Sequence, residues 1–466
     1  MIRIFNQYVS LKTLLLIIFE CILMSVALVC GAKLRFWDDP AGFDAYVRFP
    51  NFALQILLFV IVFQICLYYS DFHDLRTMRS HSEQWLCLGQ SLGIGCILLA
   101  LTYYVFPQLL IGRGVFFISM ALLAAFVVIS RMALEAAWHV AGPSQNMLVL
   151  GTHGLALTVA NELARRGDLN IRLAGFVETG TGEADSLFGH PILGNAAELE
   201  AIAAAHRISR IVVAMEDRRG ALPIRELVRL RVQGVRVEDA HSTIAALSGR
   251  VWLETVQPSW FVFSDGFHRS RLTWIAKRLF DLFFGCLGLV LSAPVMALVA
   301  ILIRLDSPGP IIYRQRRVGL RGETFEVLKF RSMRTDAEKG GAAQWAQQND
   351  PRVTRIGKYL RKYRFDELPQ FLNVIRGDMS FVGPRPERPV FVEQLRKEIS
   401  YYDERHSVRP GLTGWAQVQY QYGSSIEDAF RKLEYDLFYL KNMSVFFDFA
   451  IILQTIRIVI SGHGGR

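Results

Sequence analysis

Residues 277–304, KRLFDLFFGCLGLVLSAPVMALVAILIR, decide how this chain meets a membrane. The apolar run Leu279–Ile303 is long enough to cross a hydrocarbon core, which takes about 20 helical residues. Its flanks argue against a crossing: Lys277 and Arg278 precede it, and Arg304, Arg314, Arg316 and Arg317 follow. Basic residues at both ends place both ends on the same, cytoplasmic face. Ser292-Ala293-Pro294 stands in the middle. Proline has no N–H to donate and its ring clashes with the preceding turn, so the helix breaks or kinks there. The sequence therefore predicts a re-entrant helix over 275–304, broken at Ser292 and Pro294, with the freed backbone groups satisfied by Ser292 or by neighbouring protein. The alternative is a kinked fifth span, which would carry everything after Arg304 to the opposite face.

Toward the N-terminus, four further apolar runs fill the first domain, 1–140: Thr13–Ala32, Phe52–Tyr69, Trp85–Phe106 and Val115–Ile129. The first three are long enough to span, and the fourth extends to Leu134 if Arg131 snorkels. Gly31-Ala32 is followed by charge and more spans, so the first run is not a cleaved leader. Glu20 inside it calls for a partner across the bundle. Arg3 and Lys12 before the first span, and His73, Arg76, Arg79 and His81 between the second and third, favour a cytoplasmic N-terminus, with Arg113 a mild exception. Composition agrees: 52% hydrophobic and 20% charged residues exclude a disordered or fibrous chain. The six cysteines all lie in apolar stretches without a CxxC, which excludes a zinc finger and argues against a disulfide framework. The net charge of +10 suits nucleic acid, anionic lipid or a phosphorylated substrate, and does not choose among them.

Residues 146–251 have a different texture. Short strands at Met147–Leu150, Ile171–Val177, Ile192–Gly194, Ile211–Ala214 and Val235–Val237 alternate with helices at Ala196–His206 and Pro223–Gln233, which predicts a parallel α/β sheet. Gly151-Thr-His-Gly154-Leu-Ala156 joins the first strand to a helix that runs through Arg166. Such a turn either presents N–H groups to a phosphate or simply packs tightly, and GxxGxA is weaker than the GxGxxG fingerprint.

The third domain, 270–466, is dense in phosphate-handling groups. Lys329-Phe-Arg331-Ser-Met follows a predicted strand at Phe325–Leu328, and Arg364-Phe-Asp366-Glu367-Leu-Pro369 leads into a short apolar segment ending at Gly377. Read alone, Asp366 is simply an N-cap and Glu367 a first-turn charge offsetting the helix dipole. Pro384-Arg385-Pro386 is a rigid turn or a guanidinium held ready for a phosphate. Val408-Arg409-Pro-Gly-Leu-Thr-Gly-Trp-Ala-Gln-Val418 predicts a turn and strand, Leu433-Glu-Tyr-Asp436 the opening of a helix, and Val445–Ile460 an amphipathic interfacial helix or a core one.

Taken in order, Lys277-Arg-Leu-Phe-Asp281, Ser292-Ala-Pro294, Lys329-Phe-Arg-Ser-Met, Asp366-Glu-Leu-Pro-Gln, Gly377-Asp-Met-Ser-Phe-Val-Gly-Pro-Arg385-Pro and the Val408–Gln417 motif resemble the monotopic polyprenyl-phosphate sugar-1-phosphate transferases, from about Trp274 onward. Four spans followed by a Rossmann-like module resemble the large form of that family, which initiates bacterial exopolysaccharide or O-antigen synthesis; the module also resembles one in membrane-bound nucleotide-sugar dehydratases. One departure stands out: many members continue Asn-Gly-Arg after Ala-Gln-Val418, where this chain has Gln419-Tyr-Gln-Tyr422-Gly.

The resemblance implies a fold of membrane α-helical bundle, α/β Rossmann-like domain and α/β phosphoglycosyl transferase domain with a re-entrant helix. It implies transfer of a sugar-1-phosphate from a UDP-sugar to undecaprenyl phosphate, with release of UMP, at the bacterial inner membrane and on its cytoplasmic side. Asp366 would be the nucleophile and Glu367 the ligand of a Mg²⁺ ion. Lys329, Arg331, Arg385, Arg409 and Asp436 would surround the substrate. The lipid bilayer is an expected partner, a homodimer a further one, and nucleic acid is not expected. A dehydratase would need a Tyr-x-x-x-Lys pair that the C-terminal half lacks, and a non-catalytic lipid-binding scaffold would tolerate Asp366→Asn.

Overall fold

The computed structural model describes residues 2–4, 7–9, 11–69, 81–140, 145–169, 171–178, 186–215, 222–254, 256, 261, 266–267, 270–334, 352–420, 423 and 425–461. The chain divides between Thr243 and Ile244 into two compact units.

In the first unit, four helices form a bundle: α1 (Leu11–Arg35), α2 (Phe52–Tyr69), α3 (His81–Val105) and α4 (Arg113–Val140). Each contains a stretch long and apolar enough to cross a membrane. The fourth helix is longer than its apolar run, because Arg131-Met-Ala-Leu-Glu-Ala-Ala continues with good helix formers. Met24, Leu28, Phe59, Phe63, Leu99 and Leu123 fill the bundle core, with Glu20 buried on α1. Gly31 packs on Ser119 and Gly95 on the Phe63 ring, leaving no room for a Cβ. Small residues bring membrane helices close enough for dispersion to hold them. Ile22, Leu57, Ile97, Leu101 and Phe117 point outward, as lipid-facing side chains do. His73, Arg76 and Arg79, used above for topology, lie outside the described residues.

A six-stranded sheet follows, built from β1 (Gln145–Leu150), β2 (Ile171–Glu178), β3 (Ser186–Leu187), β4 (His190–Asn195), β5 (Ile208–Val213) and β6 (Arg236–Asp239). Its order is β3-β4-β2-β1-β5-β6, with every pairing parallel except β3–β4. Helices α5 (Gly154–Ala164), α6 (Leu199–Ala205) and α7 (Ile224–Val232) intervene in sequence. The order reverses at β1, the Rossmann arrangement, and the Gly151 turn sits at that reversal. Gly151 has φ +118°, and a Cβ there would lie 2.7 Å from the Ala214 carbonyl oxygen. Close approach of backbone is thus a sufficient reason for glycine.

The second unit begins within α8 (Ala240–Ser248), earlier than the expected start at 270. Ala245, Val251 and Leu253 belong to its core with Val382, Trp415, Leu437, Phe438, Phe447 and Ile451. The Trp415 indole N–H donates to the Gly249 carbonyl at 2.7 Å. Helix α9 (Arg271–Asp306) carries the decisive stretch and continues through Pro294 rather than breaking there. The Ser292 hydroxyl donates to the Leu289 carbonyl at 3.4 Å. Both halves of α9 pack on the same α/β body, and near its start Arg278 donates to the carbonyls of Val374 and Ile375. Gly285 and Gly288 face Val374 and Phe371, while Val299 and Ile303 join Phe330 and Leu360. Leu279, Phe283, Val290, Leu291 and Ile301 are exposed along its outer side.

That body holds an antiparallel hairpin, β7 (Ile312–Val318) with β8 (Thr324–Phe330), and helices α10 (Arg355–Lys362) and α11 (Gln370–Arg376). Strand β9 (Ser380–Val382) pairs in parallel with β10 (Gly411–Thr413). Helices α12 (Pro389–Glu398), α13 (Trp415–Gln419), α14 (Ile426–Asn442) and α15 (Val445–Ser461) complete it. The predicted strand through Val418 is therefore only β10, since Gly414 ends it and a helical turn follows. Asp436 lies in mid-helix, because a capping box between Ser425 and Asp428 starts α14 earlier. Helix α15 combines both readings: Phe447 and Ile451 are core, Phe446 and Phe449 are exposed.

Candidate active site

A 3₁₀ turn, Phe365–Glu367, carries the two adjacent carboxylates between α10 and α11. Neither serves as a helix cap: α11 starts after Pro369, and no side-chain cap bond is made there. The preceding Arg364 is left-handed, φ 56° and ψ 22°. A non-glycine residue in that region costs of the order of 1 kcal/mol and persists where the surroundings impose it. Gly377, with φ +95°, ends α11.

Glu367 is ringed by cations. Its Oε1 accepts from Lys329 Nζ at 3.0 Å and from Arg385 at 2.9 Å, and Arg364 lies 3.9 Å from Oε2. Burial alone would raise the Glu367 carboxyl, but Lys329, Arg385 and Arg364 outweigh it and hold the group far below the usual carboxylate range. Asp366 behaves oppositely. Burial pushes its carboxyl up to about 6 against the pull of Lys329, Glu367 adds to the rise, and Arg361 and Arg385 oppose it. Four cations thus face two carboxylates, and the surplus of positive charge suits an anionic group such as a diphosphate.

The structure brings Asp366, Glu367, Lys329 and Arg385 together. It does not bring all the expected residues with them. Arg331 is buried and engaged elsewhere, donating to the carbonyls of Pro308 (2.8 Å) and Ser307 (2.6 Å) at the exit of α9. Asp436 is also buried, in an ion pair with Arg405 at 2.8 Å. Arg409 is half-buried in the turn before β10, and its carbonyl abuts Gly383, where a Cβ would lie 2.5 Å away. Ser292 and Pro294 sit within α9, where the Ser292 hydroxyl bonds to the Leu289 carbonyl. At the departure from the usual motif, Gln419 reaches Gln454 and Tyr420 donates to Asp428 at 3.0 Å; Tyr422 is outside the described residues.

Arg405 is the residue that sequence reasoning missed. It donates to Asp436, to the Tyr402 hydroxyl at 2.6 Å and to the carbonyl of Arg385 at 3.0 Å. Burial acts against its charge, yet Tyr402, Asp436 and Glu387 keep it protonated. In the sequence it sits in the mixed-charge run Asp403-Glu-Arg-His406, which reads as a solvated surface.

Among the described residues, no three His, Cys, Asp or Glu side chains converge as a metal cage. A Mg²⁺ ion fits this donor set in its usual manner, on one carboxylate with the remaining positions filled by substrate phosphates and water. Glu367 is the carboxylate that would hold it, with Oε1 now accepting from Lys329 and Arg385 and Oε2 paired with Arg364 at 3.9 Å.

Residues 272–462 match the family described as bacterial sugar transferase, and residues 69–238 match the CoA-binding domain family. The chain is 48% identical to the UDP-N-acetylgalactosamine-undecaprenyl-phosphate N-acetylgalactosaminephosphotransferase of Aeromonas hydrophila, over 41% of this chain and 45% of that protein. It is 33% identical to the undecaprenyl-phosphate glucose phosphotransferase of Komagataeibacter xylinus, over 67% of this chain and 59% of that protein. With the exopolysaccharide production protein PSS of Rhizobium leguminosarum bv. phaseoli the identity is 43%, over 39% of this chain and 94% of that protein. The chain thus spans about half the length of the first two relatives and almost all of the third. These similarities support no dehydratase reading.

Proposed function

The chain belongs to the bacterial sugar transferase family, and on that premise we propose that it transfers a sugar-1-phosphate from a UDP-sugar to undecaprenyl phosphate, as a first step of surface polysaccharide synthesis. The observation that carries this reading is the buried Asp366 beside a half-buried Glu367 inside the ring of Lys329, Arg385 and Arg364. In the first step an Asp366 oxygen attacks the sugar-linked phosphorus. The bond from that phosphorus to the bridging oxygen breaks and UMP departs, leaving the sugar phosphate on the carboxylate. In the second step a phosphate oxygen of the lipid attacks the same phosphorus, and the Asp366 carboxylate leaves. A carboxylate nucleophile divides one difficult exchange into two. Burial of Asp366 supports this role, because a poorly solvated carboxylate is the more reactive anion once ionised.

Lys329 and Arg385 stabilise the charge that builds on the phosphoryl oxygens, exchanging Glu367 for substrate as it binds. A Mg²⁺ ion held by Glu367 and the diphosphate would neutralise charge and assist departure of UMP. The catalytic unit works on the cytoplasmic face of the inner membrane, with α9 seated in the bilayer by its exposed apolar side. Support comes from its basic flanks and from the packing of both ends on one body. Cysteines placed at Thr273 and Gly309 should then both react from the cytoplasmic side.

The test is UMP release by the full chain in membranes, with UDP-N-acetylgalactosamine and UDP-glucose as probes. One of them should give up to one equivalent of UMP per enzyme without lipid and continuous release with undecaprenyl phosphate. Absence of UMP with these and other UDP-sugars would defeat the proposal.

A further inference from the structure

Arg385 reaches Glu367 from a loop that is fastened to α9. Strand β9 ends at Val382, and Gly383-Pro384 alone separate it from Arg385. That connection has little slack. Gly383 donates to the Thr413 carbonyl at 2.8 Å, the Gly411 N–H to the Pro384 carbonyl at 2.9 Å, and prolines flank Arg385 on both sides. A shift of β9 therefore becomes a shift of the guanidinium.

Two charged residues on one face of α9 hold β9. Asp281, 1% exposed, accepts at Oδ1 from the Ser380 hydroxyl at 2.8 Å and from the Phe381 N–H at 2.9 Å. One turn earlier, Lys277 donates to the Val382 carbonyl at 3.0 Å and to the Tyr439 hydroxyl at 3.1 Å, and pairs with Asp448 at 2.6 Å. Residues four apart on a helix are separated by about 6 Å along its axis, and two strand residues by about 6.6 Å. The spacings match, so one helical turn grips both ends of the three-residue strand. An apolar side chain would fill the place of Asp281 without the desolvation cost of a carboxylate. What the carboxylate adds is register between helix and strand.

We propose that Asp281 is a positioning residue for Arg385, through which the membrane-seated helix holds the catalytic arginine in place. This rests on the proposed function only in taking Arg385 as a substrate-stabilising group. The experiment compares Asp281→Ala, Asp281→Asn, Arg385→Lys and the double variant Asp281→Ala/Arg385→Lys in the full chain in membranes. UMP release is read with whichever of UDP-N-acetylgalactosamine and UDP-glucose the wild type converts. Asp281→Ala should lower the rate by about 10- to 100-fold, the scale of a misplacement near 1 Å. Asp281→Asn should restore it to within about threefold, since its Oδ1 still accepts both bonds. In the Arg385→Lys background, Asp281→Ala should add almost nothing, because the fork it positions is gone.

Full activity of Asp281→Ala overturns the proposal, as do losses that multiply in the double variant. If Arg385→Lys itself is fully active, the site assignment fails instead. Should Asp281→Ala not fold, Ser380→Ala removes one of the two bonds to Asp281. Its smaller loss must likewise vanish in the Arg385→Lys background, and a loss that persists there overturns the proposal equally.

Discussion

In the middle sheet, β1 and β5 bury Leu148, Leu150, Ile211 and Val213 against helices, and Arg210 is enclosed beside Glu238. The catalytic unit buries Lys277, Asp281, Asp366, Arg405, Asp436 and Asp448 within a body whose described strands form only two-stranded sheets. Buried charge is costly unless paired and hydrogen-bonded. Regular hydrogen bonding and an apolar core dominate the first region, although Glu162, Arg166 and Arg210 are buried there as well. The second spends stability on holding a few groups in place, so substitutions in the two regions should fail in different ways.

The largest contrast is expected at Asp366. Asp366→Asn removes the attacking charge and should lower UMP release by about 1,000-fold or more. It should also stabilise the fold. The carboxyl titrates at about 6 in the folded chain, against about 3.9 when unfolded. Its favourable contribution is therefore full below pH ~3.9 and lost as pH rises through 6. The asparagine variant should gain about 2–3 kcal/mol over wild type at pH 7 and almost nothing at pH 4, as thermal unfolding at the two pH values will show.

Next in size is the boundary between the regions. A chain starting at Ser270 lacks Val251 and Leu253 from the core and strips Glu434 of its bonds from Arg250 and the Leu253 N–H. Burial of two such side chains is worth about 3–6 kcal/mol, so this form should be poorly folded where one starting at Ile244 is not. Limited proteolysis distinguishes them.

His406 should give a smaller, pH-dependent effect. Burial and the neighbouring Arg405 hold its imidazole down at about 4. A depressed histidine contributes stability above its unfolded value near 6.5, and that contribution is lost as pH falls toward 4. His406→Asn should flatten the loss of stability between pH 6.5 and 4 by about 3 kcal/mol or less.

Gly151→Ala tests the other region. It places a Cβ against the Ala214 carbonyl at φ +118°, at an expected cost of about 1–3 kcal/mol. UMP release per folded molecule should stay unchanged. A large loss of turnover would show that the middle sheet takes part in the chemistry.

The parallel sheet was legible because strands and helices alternate with glycine turns, and strand ends shifted by only a few residues, as at Gln145 and Ile208. The span lengths and the Asp366–Glu367 motif were legible too, and Lys329 and Arg385 do meet that pair. Arg331 and Asp436 are drawn elsewhere by partners invisible to local pattern. Arg331 finds carbonyls at the end of α9, and Asp436 finds Arg405, 31 residues away in sequence. The Lys277–Asp448 pair joins residues 171 apart. Such bonds depend on how the tertiary fold closes, and no periodicity announces them. The same holds for α9: proline marked a break, yet packing along both halves carries the helix through it.

On the proposed mechanism Asp366 carries the sugar phosphate between the two half-reactions. The most direct measurement is to mix the full chain with UDP-N-acetylgalactosamine or UDP-glucose labelled in the sugar-linked phosphate, without lipid, quench, digest and map the label. Label should appear on Asp366 and be chased off by undecaprenyl phosphate. Label on Glu367, or turnover with no covalent species at all, would contradict that mechanism.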